Sequence, residues 1–278
     1  MHMQGPIGIF DSGYGGLTVL REMAALLPQY DYLYLGDNAR SPYGTRSFES
    51  VYTYTRECVF KLFDEGCPLV ILACNTASAK ALRTIQQKDL PKRDPKLRVL
   101  GVIRPTAEVI GSYSSTNKVG VLGTVGTVMS ESYPIEIAKT FPDLEVYQQA
   151  CPMWVPLIEN NEHLGPGAGY FVKKYVDLLM DKAPEIDTIL LGCTHYPLLA
   201  DKIAQHISER VSLVSQGEIV AASLQNYLDR HPEMMRSCSQ GGSHRFLTTD
   251  DTQAFDEHAS IFFGGEVRSE FCSIPHVD

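Results

Sequence analysis

LVILACNTAS, Leu69 to Ser78, is the stretch from which the rest of the chain can be read. Five apolar residues, Leu69 to Ala73, run into Cys74, and small, mostly polar residues follow. This predicts a buried strand that stops at a thiol and then turns into a helix. A second stretch, ILLGCTHYP from Ile189 to Pro197, repeats the shape with Cys193 in the matching place. Each sulfur is expected at the start of a helix, where the first backbone N–H groups lack partners.

Outward from these two units the same strand–turn–helix rhythm recurs. Pro6 to Phe10 predicts a strand, followed by DSGYGG, Asp11 to Gly16, and by a helix with Leu17, Leu20, Met23, Ala24 and Leu27 at helical spacing. The glycines miss the dinucleotide fingerprint because Thr18 stands where its third glycine belongs. Asp11 and Ser12 fall at a strand's carboxyl end, where open α/β sheets place ligands. Tyr32 to Leu35 predicts a second strand. It runs into GDNARSPYG, Gly36 to Gly44, whose turn formers make a ligand wall with N–H groups at Tyr43 and Gly44. Val51 to Phe63 reads as a helix with Cys58 on its buried face. A helix from Ala77 to about Gln87 is expected to be capped by Asn75 or Thr76, with Lys88 to Lys96 as a surface connection.

Leu97 to Ile103 predicts a strand, and the first crossing between domains is placed after it. Strands are expected at Lys118–Leu122, Leu144–Tyr147, Thr188–Gly192, Val211–Ser215 and Arg245–Thr249. Helices are expected over Tyr170–Met180, Leu198–Arg210 and Gly217–Leu228. CPMWVPLIENNE, Cys151 to Glu162, reads as a loop holding the only tryptophan, with Glu159 at the end of an apolar segment. His231 to Ser243 reads as a mobile surface loop. The fold expected is α/β: two similar domains with parallel-rich sheets and the active site in the cleft between them. Residues 1–102 and about 212–278 form the first domain, and 103–211 the second.

Composition narrows the function. Of 278 residues 44% are hydrophobic and 21% charged, enough for a core without staples. A net charge of −9 with no basic run disfavours nucleic acid or anionic membrane as partners. No apolar run approaches the roughly 18 residues of a spanning helix, and the N-terminus lacks a signal-peptide pattern. Seven widely spaced cysteines, without Cys-x-x-Cys pairs, argue for a reducing cytoplasm and against a structural metal.

Two strand-end thiols facing one small substrate suggest proton transfer. A helix N-terminus favours thiolate over thiol, whose free pKa is about 8.5. Its N–H groups, with the polar side chains of Ser12, Asn75, Thr76 and Thr194, can hold a carboxylate. One thiolate removes an α-proton, and the thiol opposite returns one. The stereocentre inverts without an electron-sink cofactor, each acid/base step contributing roughly 10² to 10⁴ in rate. Asp11 and His195 are suited to tune the thiols, with Glu159 as a third candidate. Against this, a lone buried cysteine is usually core, and His195 could simply cap a turn. The repetition of the unit favours the paired role.

With these residues assembled, the chain resembles the glutamate racemases of the aspartate/glutamate racemase superfamily. The resemblance runs from IGIFDSGYGGLTVL through GDNARSPYGTRS, ACNTASA, VGVLGTVGT, VPLIE and LLGCTHYPLL to FLTTDD. It implies cofactor-independent interconversion of L- and D-glutamate, supplying D-glutamate for peptidoglycan, by a homodimer. It makes Cys74 the acid/base for D-glutamate and Cys193 that for the L form, assisted by Asp11, Glu159 and His195. It also implies substrate contacts from Asp11, Ser12, Tyr43, Gly44, Asn75, Thr76, Thr194 and His195. One departure is Thr106 in VIRPTAE, where the family usually has glycine. His195 itself points to glutamate, since related aspartate racemases tend to carry glutamate after the Cys-Thr pair. The alternatives are a racemase for aspartate or another small acid, and a thiol-based redox or metal sensor.

Overall fold

The computed structural model describes residues 4–275. Among the described residues ten strands form two sheets: β1 (Ile7–Asp11), β2 (Tyr32–Gly36), β3 (Leu69–Leu72), β4 (Arg98–Gly101), β5 (Lys118–Gly123), β6 (Glu145–Ala150), β7 (Thr188–Gly192), β8 (Ser212–Val214), β9 (His244–Thr248) and β10 (Ser269–Phe271). The six-stranded sheet has the order β10-β9-β2-β1-β3-β4, and the four-stranded sheet β6-β5-β7-β8. Every pairing between these strands is parallel. Parallel strands need crossover helices, which cover both faces and allow near-continuous apolar runs. Accordingly every residue of β1, β2, β3 and β7 is buried.

Register carries the first sheet's carboxyl ends into alignment. Phe10 lies opposite Leu72, and Ala73 N–H donates to the Phe10 carbonyl at 2.8 Å. The chains leave the sheet side by side, which sets Ser12 next to Cys74. In the second sheet Gly123 lies opposite Gly192, so Thr124 and Cys193 emerge together. The two sheets share one apolar cluster. It includes Leu20, Met23, Val220 and Leu224 from helices Leu17–Leu26 and Gly217–Arg230, and Leu122, Trp154 and Leu191 around the second sheet.

Several boundaries differ from the sequence reading. Ser212–Val214 pairs with β7, so the chain leaves the second sheet only after Val214, slightly later than the crossing expected at about 212. Lys88–Lys96 is not a plain connection. Helical segments continue through a π turn, Ile85–Asp89, to Arg93, with Pro91 in a first turn where its missing N–H costs little. His231–Ser243 contains a helix, Pro232–Ser237, anchored by buried Met234 and Cys238. Directly after Cys193 the helix expected over Leu198–Arg210 is much shorter. A 3₁₀ turn, Tyr196–Leu199, leads to a short helix, Ala200–Ala204. Among the described residues no helix is long and apolar enough to cross a membrane.

Candidate active site

Both strand-end sulfurs reach one cavity between the two sheets' carboxyl ends. Cys74 and Cys193 line it together, each 6% exposed. The cavity is small, with about 70 Å³ of free space. A larger cleft of about 800 Å³ lies elsewhere and contains neither thiol.

Cys74 is itself the N-cap of helix Asn75–Lys80. Its sulfur accepts the Ala77 N–H at 3.4 Å, a role expected for Asn75 or Thr76. Ser12 Oγ lies 3.5 Å from the same sulfur. The expectation of a lowered pKa does not hold here. Burial, and then the neighbouring Asp11 carboxylate, push the Cys74 thiol up to about 12, against the smaller pull of Ser12 and Ala77. The helix is six residues long. Its dipole is too weak to offset desolvation of a thiolate without a cation.

Cys193 has different company. His195 Nδ1 lies 3.9 Å from its sulfur, and His195 Nε2 lies 3.1 Å from Glu159 Oε1. Burial of His195 opposes its charge, but the hydrogen bonds to Cys193 and Glu159 outweigh it and raise its pKa to about 10. At neutral pH both ring nitrogens then carry protons, one for the sulfur and one for the carboxylate. That places a cation beside the Cys193 sulfur.

Glu159 reaches His195 because Cys151–Glu162 is not a loop throughout. Helix Trp154–Glu159 packs its buried tryptophan edge-on against Tyr196, ring centroids 4.7 Å apart. Tyr196 follows His195 directly, so one aromatic contact sets helix and imidazole in register. Any side chain at Gly15 would collide with the same turn. A Cβ there would stand 2.2 Å from Thr194 Oγ1 and 2.4 Å from His195 Nδ1, so the first glycine turn lies against the Cys193 turn.

The remaining expected residues converge, with one qualification. Ser12, Tyr43, Gly44, Asn75, Thr76, Thr194, His195 and Glu159 line the cavity, whereas Asp11 stands behind it. Asp11 is 1% exposed, accepts the Gly13 N–H at 3.0 Å, and is 3.4 Å from the Thr194 hydroxyl that donates to it. Desolvation raises its pKa, partly countered by His195. Tyr43 directs its phenol away, donating it to Asp37. Asp37 also accepts from Arg40, which in turn binds Glu57, so a buried ion network braces the Ser41–Gly44 wall.

Sequence reasoning missed Thr124, Cys151 and Val155 as lining residues. Thr124 follows β5 as Cys193 follows β7, and its hydroxyl lies 2.9 Å from that of Thr76. The repeated strand–turn pattern could have singled it out. Cys151 follows the edge strand β6 after a weaker apolar run and gave no comparable signal. Among the described residues no group of three or more His, Cys, Asp or Glu side chains is placed to hold a metal ion.

Comparison with known proteins accords with this geometry. The chain is 40% identical over 274 residues to a glutamate racemase from Ruegeria sp., covering 95% of this chain and 98% of that protein. Its structure superposes on glutamate racemase isoform RacE1 from Bacillus anthracis with a TM-score of 0.89, at 33% identity and 99% coverage of both chains. Glutamate racemase from Francisella tularensis, solved in complex with D-glutamate, gives 0.86 at 31% identity and 98% coverage of both. The Asp/Glu/Hydantoin racemase profile matches residues 7–224, a span that holds both strand-end cysteines. By the extent of that match, this chain belongs to the Asp/Glu/Hydantoin racemase family.

Proposed function

We propose that this protein interconverts L- and D-glutamate, with Cys193 and Cys74 as the two acid/bases and no cofactor. The observation that carries the reading is the meeting of two thiols, from the ends of β3 and β7, in one small cavity. The Cys193 sulfur, beside a protonated His195, takes the α-proton of L-glutamate. The Cys74 thiol, kept protonated by burial, gives its proton to the opposite face of the planar carbanion. One S–H bond forms and one breaks. The enzyme is left with thiol and thiolate exchanged, ready for the D enantiomer. Polar groups at Ser12, Asn75, Thr76 and Thr194 hold the carboxylate and stabilise charge developing on it. Asp11 acts through Thr194 and Cys74 from behind the cavity.

Similarity to enzymes named glutamate racemase, one of them solved with D-glutamate, supports the substrate. The sequence resemblance extends the proposal to a cytoplasmic homodimer supplying D-glutamate for peptidoglycan. The experiment is circular dichroism of L-glutamate and of L-aspartate incubated with the protein. Loss of the glutamate signal, much faster than that of aspartate, is expected. Preferential inversion of aspartate would remove the glutamate assignment.

A further inference from the structure

Asn75 is held by a closed ring of hydrogen bonds that no expectation from the sequence anticipated. Its Nδ2 donates to Gln216 Oε1 at 2.7 Å. Gln216 Nε2 donates to the Tyr133 hydroxyl at 2.7 Å, and Tyr133 donates to Asn75 Oδ1 at 2.6 Å. All three side chains are at most 4% exposed. The ring joins distant parts of the chain. Asn75 follows β3, Tyr133 lies in helix Ser132–Thr140 of the second half, and Gln216 stands on the return crossing to the first sheet.

A ring of two amides and a hydroxyl could run in either sense. Flipping both amides would reverse every donor and acceptor without leaving a bond unmade. The Val102 carbonyl on the first crossing removes that freedom. It can only accept, and Gln216 Nε2 lies 3.3 Å from it. The flipped glutamine would set two carbonyl oxygens against each other in a buried site, which is costly. Thr106 adds to the bias. Its hydroxyl donates to Val102 O at 2.9 Å and so offers a lone pair to Gln216 Nε2 at 3.0 Å. This is the position where the racemase resemblance leads one to expect glycine.

With the sense fixed, Asn75 spends Oδ1 on Tyr133 and one Nδ2 hydrogen on Gln216. Its second Nδ2 hydrogen remains for the cavity that Asn75 lines. We propose that Gln216 is a positioning residue which, through Tyr133 and the Val102 carbonyl, keeps Asn75 turned with an N–H toward a substrate carboxylate. The inference rests on the racemase reading and deepens it. The carboxylate contact depends on groups at both chain crossings, not on the β3 turn alone.

The test is a double-mutant cycle on glutamate racemisation by the full chain, using Gln216→Met, Asn75→Ala and their combination. Gln216→Met is expected to raise KM about tenfold, the worth of one hydrogen bond to a charged group, with kcat changed by about threefold or less. In the Asn75→Ala background the same substitution should change KM by no more than about twofold, because the group it positions is gone. An unchanged KM in the single variant, or an equal rise in both backgrounds, overturns the role. Should Gln216→Met not fold, Tyr133→Phe removes one hydroxyl from the ring and carries the same cycle with the same outcomes. Failure of the unsubstituted chain to invert glutamate has a different meaning. It removes the racemase reading, and this inference with it.

Discussion

The turns after β3 and β7 deliver sulfur to the same cavity by the same device, yet surround it differently. After β3 the sulfur caps a helix and meets Ser12, with Asp11 nearby and no cation. After β7 the sulfur caps no helix, a 3₁₀ turn starting only at Tyr196, and it meets an imidazole backed by a carboxylate. Strand position decides where each thiol goes. The polar neighbours differ: a serine and a buried carboxylate near Cys74, a histidine near Cys193. The proposed inversion at a single carbon would use this asymmetry, with one sulfur for each face.

Removing one sulfur at a time is the most drastic change to the pair. Cys74→Ala and Cys193→Ala are each expected to reduce racemisation about 10⁴-fold or more, the upper end of one acid/base contribution. In heavy water the variant lacking Cys74 should still label L-glutamate at Cα, and the variant lacking Cys193 should label only the D form. Near-normal racemisation by either would end the two-thiol scheme.

Replacing the imidazole separates the two environments less drastically. His195→Gln should lower kcat/KM roughly 10²-fold. In the unsubstituted protein kcat/KM should fall as pH rises through about 10. The raised pKa keeps His195 protonated below that point and lets it lose its charge above it. The limb must be the same for both enantiomers, because their equilibrium constant is one, and His195→Gln should abolish it. Glu159→Gln weakens the same cation. A loss of about tenfold is expected, with the alkaline limb moved to lower pH. Unchanged limbs in both variants would show that His195 does not govern the Cys193 side. The mildest change is Ser12→Ala, which removes one contact to Cys74. A fall in kcat/KM of about threefold is expected, with the alkaline limb left in place.

Much of this was legible in the sequence because it follows from local pattern. Apolar runs ending at Cys74 and Cys193 announce buried parallel strands, and the residues just beyond such strands line the cavity. What the sequence hid depends on contacts between distant segments. Glu159 had no visible anchor, because its helix forms around Trp154 only when Tyr196 is present to pack on. Cys74 looked activated by its helix, but burial beside Asp11 outweighs a short dipole. Gln216 appeared as an ordinary residue before a helix. Its partners at 75, 102, 106 and 133 are brought to it only by the two chain crossings. β8 was recognised as a strand, but a strand's sheet is set by its neighbour and not by its own three residues.

The two-thiol scheme requires different sulfurs at the two faces of one carbon. The direct measurement starts from L-glutamate in heavy water and follows deuterium at Cα in both enantiomers during the first few per cent of reaction. Two bases predict that newly formed D-glutamate carries deuterium from the Cys74 side, while recovered L-glutamate stays unlabelled. Early D-glutamate that retains the original hydrogen would mean that one group carries the proton across, and would contradict the account.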